Sequence, residues 1–181
     1  MEKNVTLISL FAALIAVLGL IPTITLAFGV PVTAQSLGVM LCGTILGAKR
    51  GMLAVLLFLL LVALGLPLLS GGRGGLGLFV SPTAGFLVGF PVSAFVTGWI
   101  VERWRRPPVA LAAGLASVIG GIFGLYAFGV AGMALTLGKS YYEAALLVTV
   151  FLPGDLLKAA IAGALTSALF KARPASVLSR S

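Results

Sequence analysis

Apolar residues fall into six long runs separated by short polar or glycine-rich breaks: Leu7–Ala27, Val32–Leu46, Met52–Leu69, Pro82–Val101, Val109 to about Leu137, and Ala144–Phe170. A membrane-spanning helix needs about 20 mostly apolar residues at ~1.5 Å each. By that measure Val32–Leu46 is short, and the run from Val109 is longer than a bilayer requires. The pattern predicts an all-α membrane protein, a single compact bundle of six transmembrane helices over residues 1–181. Leu7–Ala27 reads as a span, not a signal peptide, because no Ala-x-Ala cleavage site follows it and five further runs do. Pro22 breaks this run near its end, and Gly29-Val30-Pro31-Val32-Thr33 reads as the turn into the second. Gly47-Ala48-Lys49-Arg50-Gly51 is expected to be a tight loop, and Gly138 to Glu143 an interfacial turn. One run breaks the rule that charges sit at its ends. Phe151-Leu152-Pro153-Gly154-Asp155-Leu156-Leu157-Lys158 holds an acid and a base inside the sixth.

Composition supports the membrane reading and removes several function classes. The chain is 60% hydrophobic and 9% charged, against a usual charged share of about a quarter. It has no histidine and one cysteine, Cys42, so a His/Cys metal site, a Ser–His or Cys–His nucleophile and an internal disulfide are not expected. Cys42 reads as a small core residue. No phosphate-binding Gly-x-x-x-x-Gly-Lys-Ser/Thr motif occurs, and a membrane aspartyl protease would need a second deep acid beside Asp155. The expectation is no enzyme, no catalytic residue, no metal and no cofactor.

The net charge of +8 changes the picture in one way only. The cations are spread through short breaks and do not form one patch, which argues against nucleic acid and for membrane topology. With the amino terminus inside, nine of them (Lys3, Lys49, Arg50, Arg103, Arg105, Arg106, Lys171, Arg173, Arg180) face the cytoplasm, and two (Arg73, Lys139) face out. Both termini are therefore expected in the cytoplasm. Lys158 lies 13 positions before Lys171, about 20 Å of helix from the inner edge, so it falls in the outer half with the Arg73 loop.

A charge at the centre of a membrane helix costs about 2.5–3.5 kcal/mol even on the lenient insertion scale. Asp155 and Lys158 are three positions apart and share one helix face. Asp155 accepts from N–H donors, while Lys158 and Arg73 donate to a carboxylate. A ligand with N–H groups at one end and a carboxylate at the other would use all three, with Phe58, Phe79 and Phe86 around its apolar middle. The competing reading is a structural pair that holds helices together. Ser70-Gly71-Gly72-Arg73-Gly74-Gly75-Leu76-Gly77 is either a flexible linker or a lid over a cavity, and the lid is preferred. Gln35 serves either a ligand or a neighbouring carbonyl, with the carbonyl preferred on its own evidence. Tyr126 and Phe128 could line a pocket, with core packing preferred for each. Ala12 and Ala16, one turn apart, allow close helix approach, either within this protein or to another.

Three stretches carry a family resemblance. Phe151 to Lys158 resembles the carboxy-terminal signature of BioY, the biotin-binding S component of energy-coupling factor (ECF) transporters. Val30-Pro31-Val32-Thr33-Ala34-Gln35-Ser36-Leu37 with Leu46 to Gly51 resembles its second helix and loop. Gly65-Leu66-Pro67, Gly71 to Gly75 and Ser81-Pro82-Thr83-Ala84-Gly85-Phe86 resemble its third connection. The resemblance implies a plasma-membrane (inner-membrane) protein that takes up biotin from an outward-facing cavity. It implies ligand contacts from Asp155 and Lys158 and a 71–75 loop closing over the site, with Gln35, Arg73, Phe79 and Phe86 as further site candidates. It also implies docking through Ala12 and Ala16 on a transmembrane coupling subunit, with two ATPase subunits supplying energy. Phe58 and Phe86 stand where the family often has Tyr, Ser81 replaces a frequent Gly, and Leu87 stands where some members place Arg. The alternatives are an S component for another small vitamin and a ligand-free membrane scaffold subunit.

Overall fold

The structure, a computed structural model, describes residues 2–25 and 30–180. The expected turn at Gly29 and the end of the first run at Leu26 and Ala27 lie outside the described residues.

The first helix, α1, covers Glu2–Leu18 and stops well before Pro22. Gly19 ends it at a crowded point, where a Cβ would lie 2.6 Å from the Leu68 carbonyl oxygen and 2.8 Å from Gln35 Nε2. The chain then forms an antiparallel pair of two-residue strands, β1 (Ile24–Thr25) and β2 (Pro31–Val32). Helix α2 (Gln35–Leu41) continues as a π-helical turn over Cys42–Leu46. Gly47, at φ 85°, reverses the chain into α3 (Ala48–Ala63). Lys49 and Arg50 thus sit in the first turn of α3, not in a loop, because the reversal needs only the left-handed glycine before them.

Residues 65–83 form the long connection. It is not a slack linker: Leu69 and Arg73 exchange two backbone hydrogen bonds, at 3.0 and 3.1 Å, and the Gly75 N–H donates to Val62 O at 2.7 Å. Helix α4 is Ala84–Arg103. Helices α5 (Val109–Ala116) and α6 (Leu125–Leu137) are joined by π-helical residues Ser117–Gly124 into one 29-residue apolar rod. Helix α7 (Tyr141–Val148) starts with a Ser140–Glu143 capping box. A 3₁₀ turn over Thr149–Phe151 then leads into α8 (Leu152–Ala172).

Among the described residues, three helical stretches are long and apolar enough to cross a membrane: Ala84–Arg103, Val109–Leu137 and Tyr141–Ala172. Their outward side chains are apolar as well, with Val88, Leu111, Phe123, Leu146 and Leu157 all exposed. A soluble protein rarely presents such a surface, whereas a lipid-facing one must. Helix α4 packs against α3, α6 and both π-helical turns, and α5 packs against α8. Small residues permit these contacts. Gly85 and Gly132 meet backbone to backbone, where a Cβ on either would lie 2.2–2.5 Å from the other helix.

Candidate functional site

Pro153 sits in the first turn of α8, where its missing N–H is harmless. The restart after the 3₁₀ turn puts Asp155 in that turn as well, at the positive end of the helix dipole, where a carboxylate is favoured. Lys158 follows one turn later on the same face. The two pair at 2.8 Å.

Around this pair is a cavity whose empty space, open mouth included, is about 580 Å³. Asp155 and Lys158 from α8 face Thr33 and Ser36 from the start of α2, Tyr126 from α6, and Ser70 and Arg73 from the long connection. Phe86, Phe90 and Phe151 supply an aromatic wall. Phe86 meets Tyr126 and Phe151 edge to face, at centroid distances of 6.5 and 6.1 Å.

The polar groups form one connected network. Asp155 Oδ1 accepts from Lys158 Nζ at 2.8 Å and from Ser36 Oγ at 3.2 Å. Asp155 Oδ2 accepts from the Tyr126 hydroxyl at 2.8 Å. Lys158 Nζ also donates to Thr33 O at 2.7 Å and to Ser36 Oγ at 3.0 Å. An ammonium has three donors, so those of Lys158 are all engaged by protein, while Oδ2 of Asp155 retains acceptor capacity. Arg73 differs. Its Nε donates to Ser70 O at 3.1 Å, and its two terminal nitrogens make no protein hydrogen bond among the described residues. Partial burial pulls its guanidinium below its ordinary pKa, and it remains the cation with donors to spare.

Gln35 is on the cavity wall but only 1% exposed. Its Nε2 donates to Ile15 O at 3.1 Å and Leu68 O at 3.0 Å, and its Oε1 accepts from Ser70 N at 3.1 Å and Ser70 Oγ at 3.0 Å. All four bonds that a side-chain amide can make go to protein. Gln35 ties the end of α1 and the 68–70 segment to α2, so its amide holds the mouth of the cavity in shape.

The structure therefore brings Asp155, Lys158, Arg73, Gln35 and Phe86 to one cavity, and corrects several other expectations. Phe79 lies in the Leu76–Val80 turn, partly buried against the core and off the cavity wall. Phe58 is fully buried elsewhere in the core. Tyr126, for which the sequence favours packing over pocket lining, does line the cavity and contacts the key carboxylate, while Phe128 points outward. Ala12 is 4% exposed and packs into this protein's own core, so it offers no surface to another chain; Ala16 is partly buried beside it. The face that α1 turns outward carries Ser9, Leu10, Ala13 and Val17. Sequence reasoning did not single out Thr33, Ser36, Ser70, Phe90 or Phe151 as site residues. Thr33, Ser36 and Phe151 lie inside the signature stretches, and that was their available signal.

The BioY family model matches residues 2–175. The chain belongs to the BioY family. The biotin transporter BioY of Rhodobacter capsulatus is 54% identical to it, over 99% of this chain and 100% of its own. The biotin transporter BioY of Rhizobium etli is 50% identical over 95% of both chains. The probable biotin transporter BioY of Bacillus subtilis is 43% identical, over 85% of this chain and 83% of its own. Among solved structures, the S-component for biotin from an ECF-type ABC transporter superposes with a TM-score of 0.88 at 27% identity, covering 94% of this chain and 92% of that one.

Proposed function

We propose that this chain is the biotin-binding membrane component of an ECF-type uptake system. The observation that carries the reading is the Asp155–Lys158 pair on the wall of a cavity lined by aromatic rings, with Oδ2 of Asp155 still able to accept. Biotin offers ureido N–H donors, an apolar middle and a terminal carboxylate. The ureido N–H groups bind Asp155, and its carbonyl lies near the Tyr126–Lys158 network. The apolar middle fits between Phe86, Phe90 and Phe151. The carboxylate goes to Arg73, because Lys158 has no donor left for it. The relatives named as biotin transporters and the solved biotin S-component support the same ligand.

In this reading the helices make six spans: α1, α2 with its π turn, α3, α4, α5–α6 and α7–α8. Both termini are cytoplasmic and the biotin cavity opens outward. Arg105 donates to the carbonyl of Arg180 at 3.5 Å, and Lys49, Arg50 and Arg103 gather around one groove, so the cations collect at one end as the positive-inside rule requires. A coupling subunit docks on the outward face of α1, and two ATPase subunits drive release of biotin to the cytoplasm. The protein resides in the plasma membrane.

The test is thermal unfolding of the purified chain in detergent with biotin and, separately, with thiamine and riboflavin. A ligand that binds only the folded state raises its melting temperature. A rise with biotin alone is expected. A rise with another vitamin and none with biotin would reassign the substrate, and no rise with any would favour the scaffold.

A further inference from the structure

A second cavity, which shares no lining residue with the biotin cavity, lies between the first turn of α3 and the carboxy-terminal half of α4. It measures about 940 Å³, mouth included. Lys49, Arg50 and Arg103 line it together with Phe95 and Trp99. No carboxylate pairs with these three cations among the described residues, whose ion pair is Asp155–Lys158. The one acid in the groove, Glu102, uses Oε1 to accept the Ala48 N–H at 2.9 Å and so caps α3. Arg103 is held over the exposed Trp99 ring, its guanidinium carbon 4.7 Å from the centroid, which fixes a cation in the groove.

The charges are placed against their own local interest. Lys49 and Arg50 occupy the first turn of α3, the positive end of its dipole, where anions are favoured and cations are not. Three cations beside two aromatic rings together ask for a group that is anionic at one end and apolar at the other. Helix α4 is apolar along its length and ends at this groove, with a Trp where a membrane interface would place one. Basic pockets between membrane helices recognise anionic lipid headgroups in this way.

We propose that this groove is a binding site for an anionic phospholipid, its phosphate held by Lys49, Arg50 and Arg103 and an acyl chain laid along Phe95 and Trp99. The site is separate from the biotin cavity and requires only that the chain spans a membrane. Electrostatic attraction of about fivefold in affinity per cation makes loss of all three worth on the order of a hundredfold.

Native mass spectrometry of the detergent-purified chain, with phosphatidylglycerol or phosphatidylcholine of the same acyl composition, tests this. The wild type should keep one phosphatidylglycerol and shed phosphatidylcholine. The variant Lys49→Gln/Arg50→Gln/Arg103→Gln should lose that preference yet still unfold cooperatively close to the wild-type melting temperature, which reports folding. If the triple variant does not fold, Arg103→Gln and the charge-keeping Arg103→Lys replace it, and only the first should weaken retention. Equal retention of both lipids by the wild type overturns the proposal. So does unchanged phosphatidylglycerol binding in the variant. Equal stabilisation by soluble glycerol phosphate would make this a free-phosphate site. Loss of coupling-subunit binding with no lipid preference would make it a protein-docking face.

Discussion

Replacing Asp155 by Asn leaves the Lys158 ammonium in the protein with no counter-charge. The two side chains are only 7% and 16% exposed and pair at 2.8 Å, so solvent screens them little. Breaking a buried pair from one side costs about 3–5 kcal/mol, whereas removing both charges together is often near neutral. Asp155→Asn and Lys158→Met should each destabilise the protein by about 3–5 kcal/mol. The double variant should cost no more than either single. Its residual cost is the Thr33 carbonyl, which loses its Lys158 donor, at about 1–3 kcal/mol for a buried orphan group. The asparagine oxygen still accepts from Tyr126 or Ser36. The coupling energy between the two sites should therefore exceed about 2 kcal/mol, far above the ~0.5 kcal/mol scatter of independent sites. The assay is reversible unfolding of the four proteins in mixed detergent micelles without biotin. Additive single effects, or single costs below ~1 kcal/mol as for a surface ion pair, would refute the buried-pair reasoning.

Arg73→Gln should weaken biotin about ten- to a hundredfold, the worth of a charge-assisted hydrogen bond, and leave the affinity of the alcohol analogue biotinol unchanged. Equal losses for both ligands in equilibrium binding would move the carboxylate elsewhere. Gln35→Ala strips partners from Ser70 N and from the carbonyls of Ile15 and Leu68, and should destabilise the protein by at least about 2 kcal/mol. Hydrogen exchange should speed up at residues 68–75, and unchanged protection there would contradict the role of the amide. Gly129→Ala puts a Cβ 2.4 Å from Phe86 Cε1 and drives that ring toward the cavity, an overpacking cost of about 1–3 kcal/mol. Biotin affinity should drop more than tenfold, while Gly124→Ala, whose Cβ meets nothing nearer than 3.5 Å, should leave it intact.

The charged centre of the site was legible because membrane helices tolerate few buried charges, so Asp155 and Lys158 stand out of their run, and Arg73 stands out of its glycines. The long spans were legible for the same reason. Tyr126 was not, because a tyrosine in an apolar glycine-rich helix reads as packing until α6 is seen to face α8. Gln35 was visible as an odd amide, but only the converging carbonyls of Ile15 and Leu68 show its capacity filled. Continuous hydrophobicity carries no face information, so Ala12 could not be told from the outward Ala13, and Phe58 and Phe79 could not be told from Phe86. The same lack of periodicity hid the end of α1 at Leu18 and the entry of Lys49 and Arg50 into α3.

Whether the charge pair binds biotin is decided by one direct measurement. Labelled biotin is titrated onto the purified wild type and onto the Asp155→Asn/Lys158→Met double variant, which should stay folded for the reason given above. The wild type should saturate at one biotin per chain, and the folded double variant should bind none. Wild-type binding that survives in the double variant would make the pair a helix clamp and place biotin elsewhere.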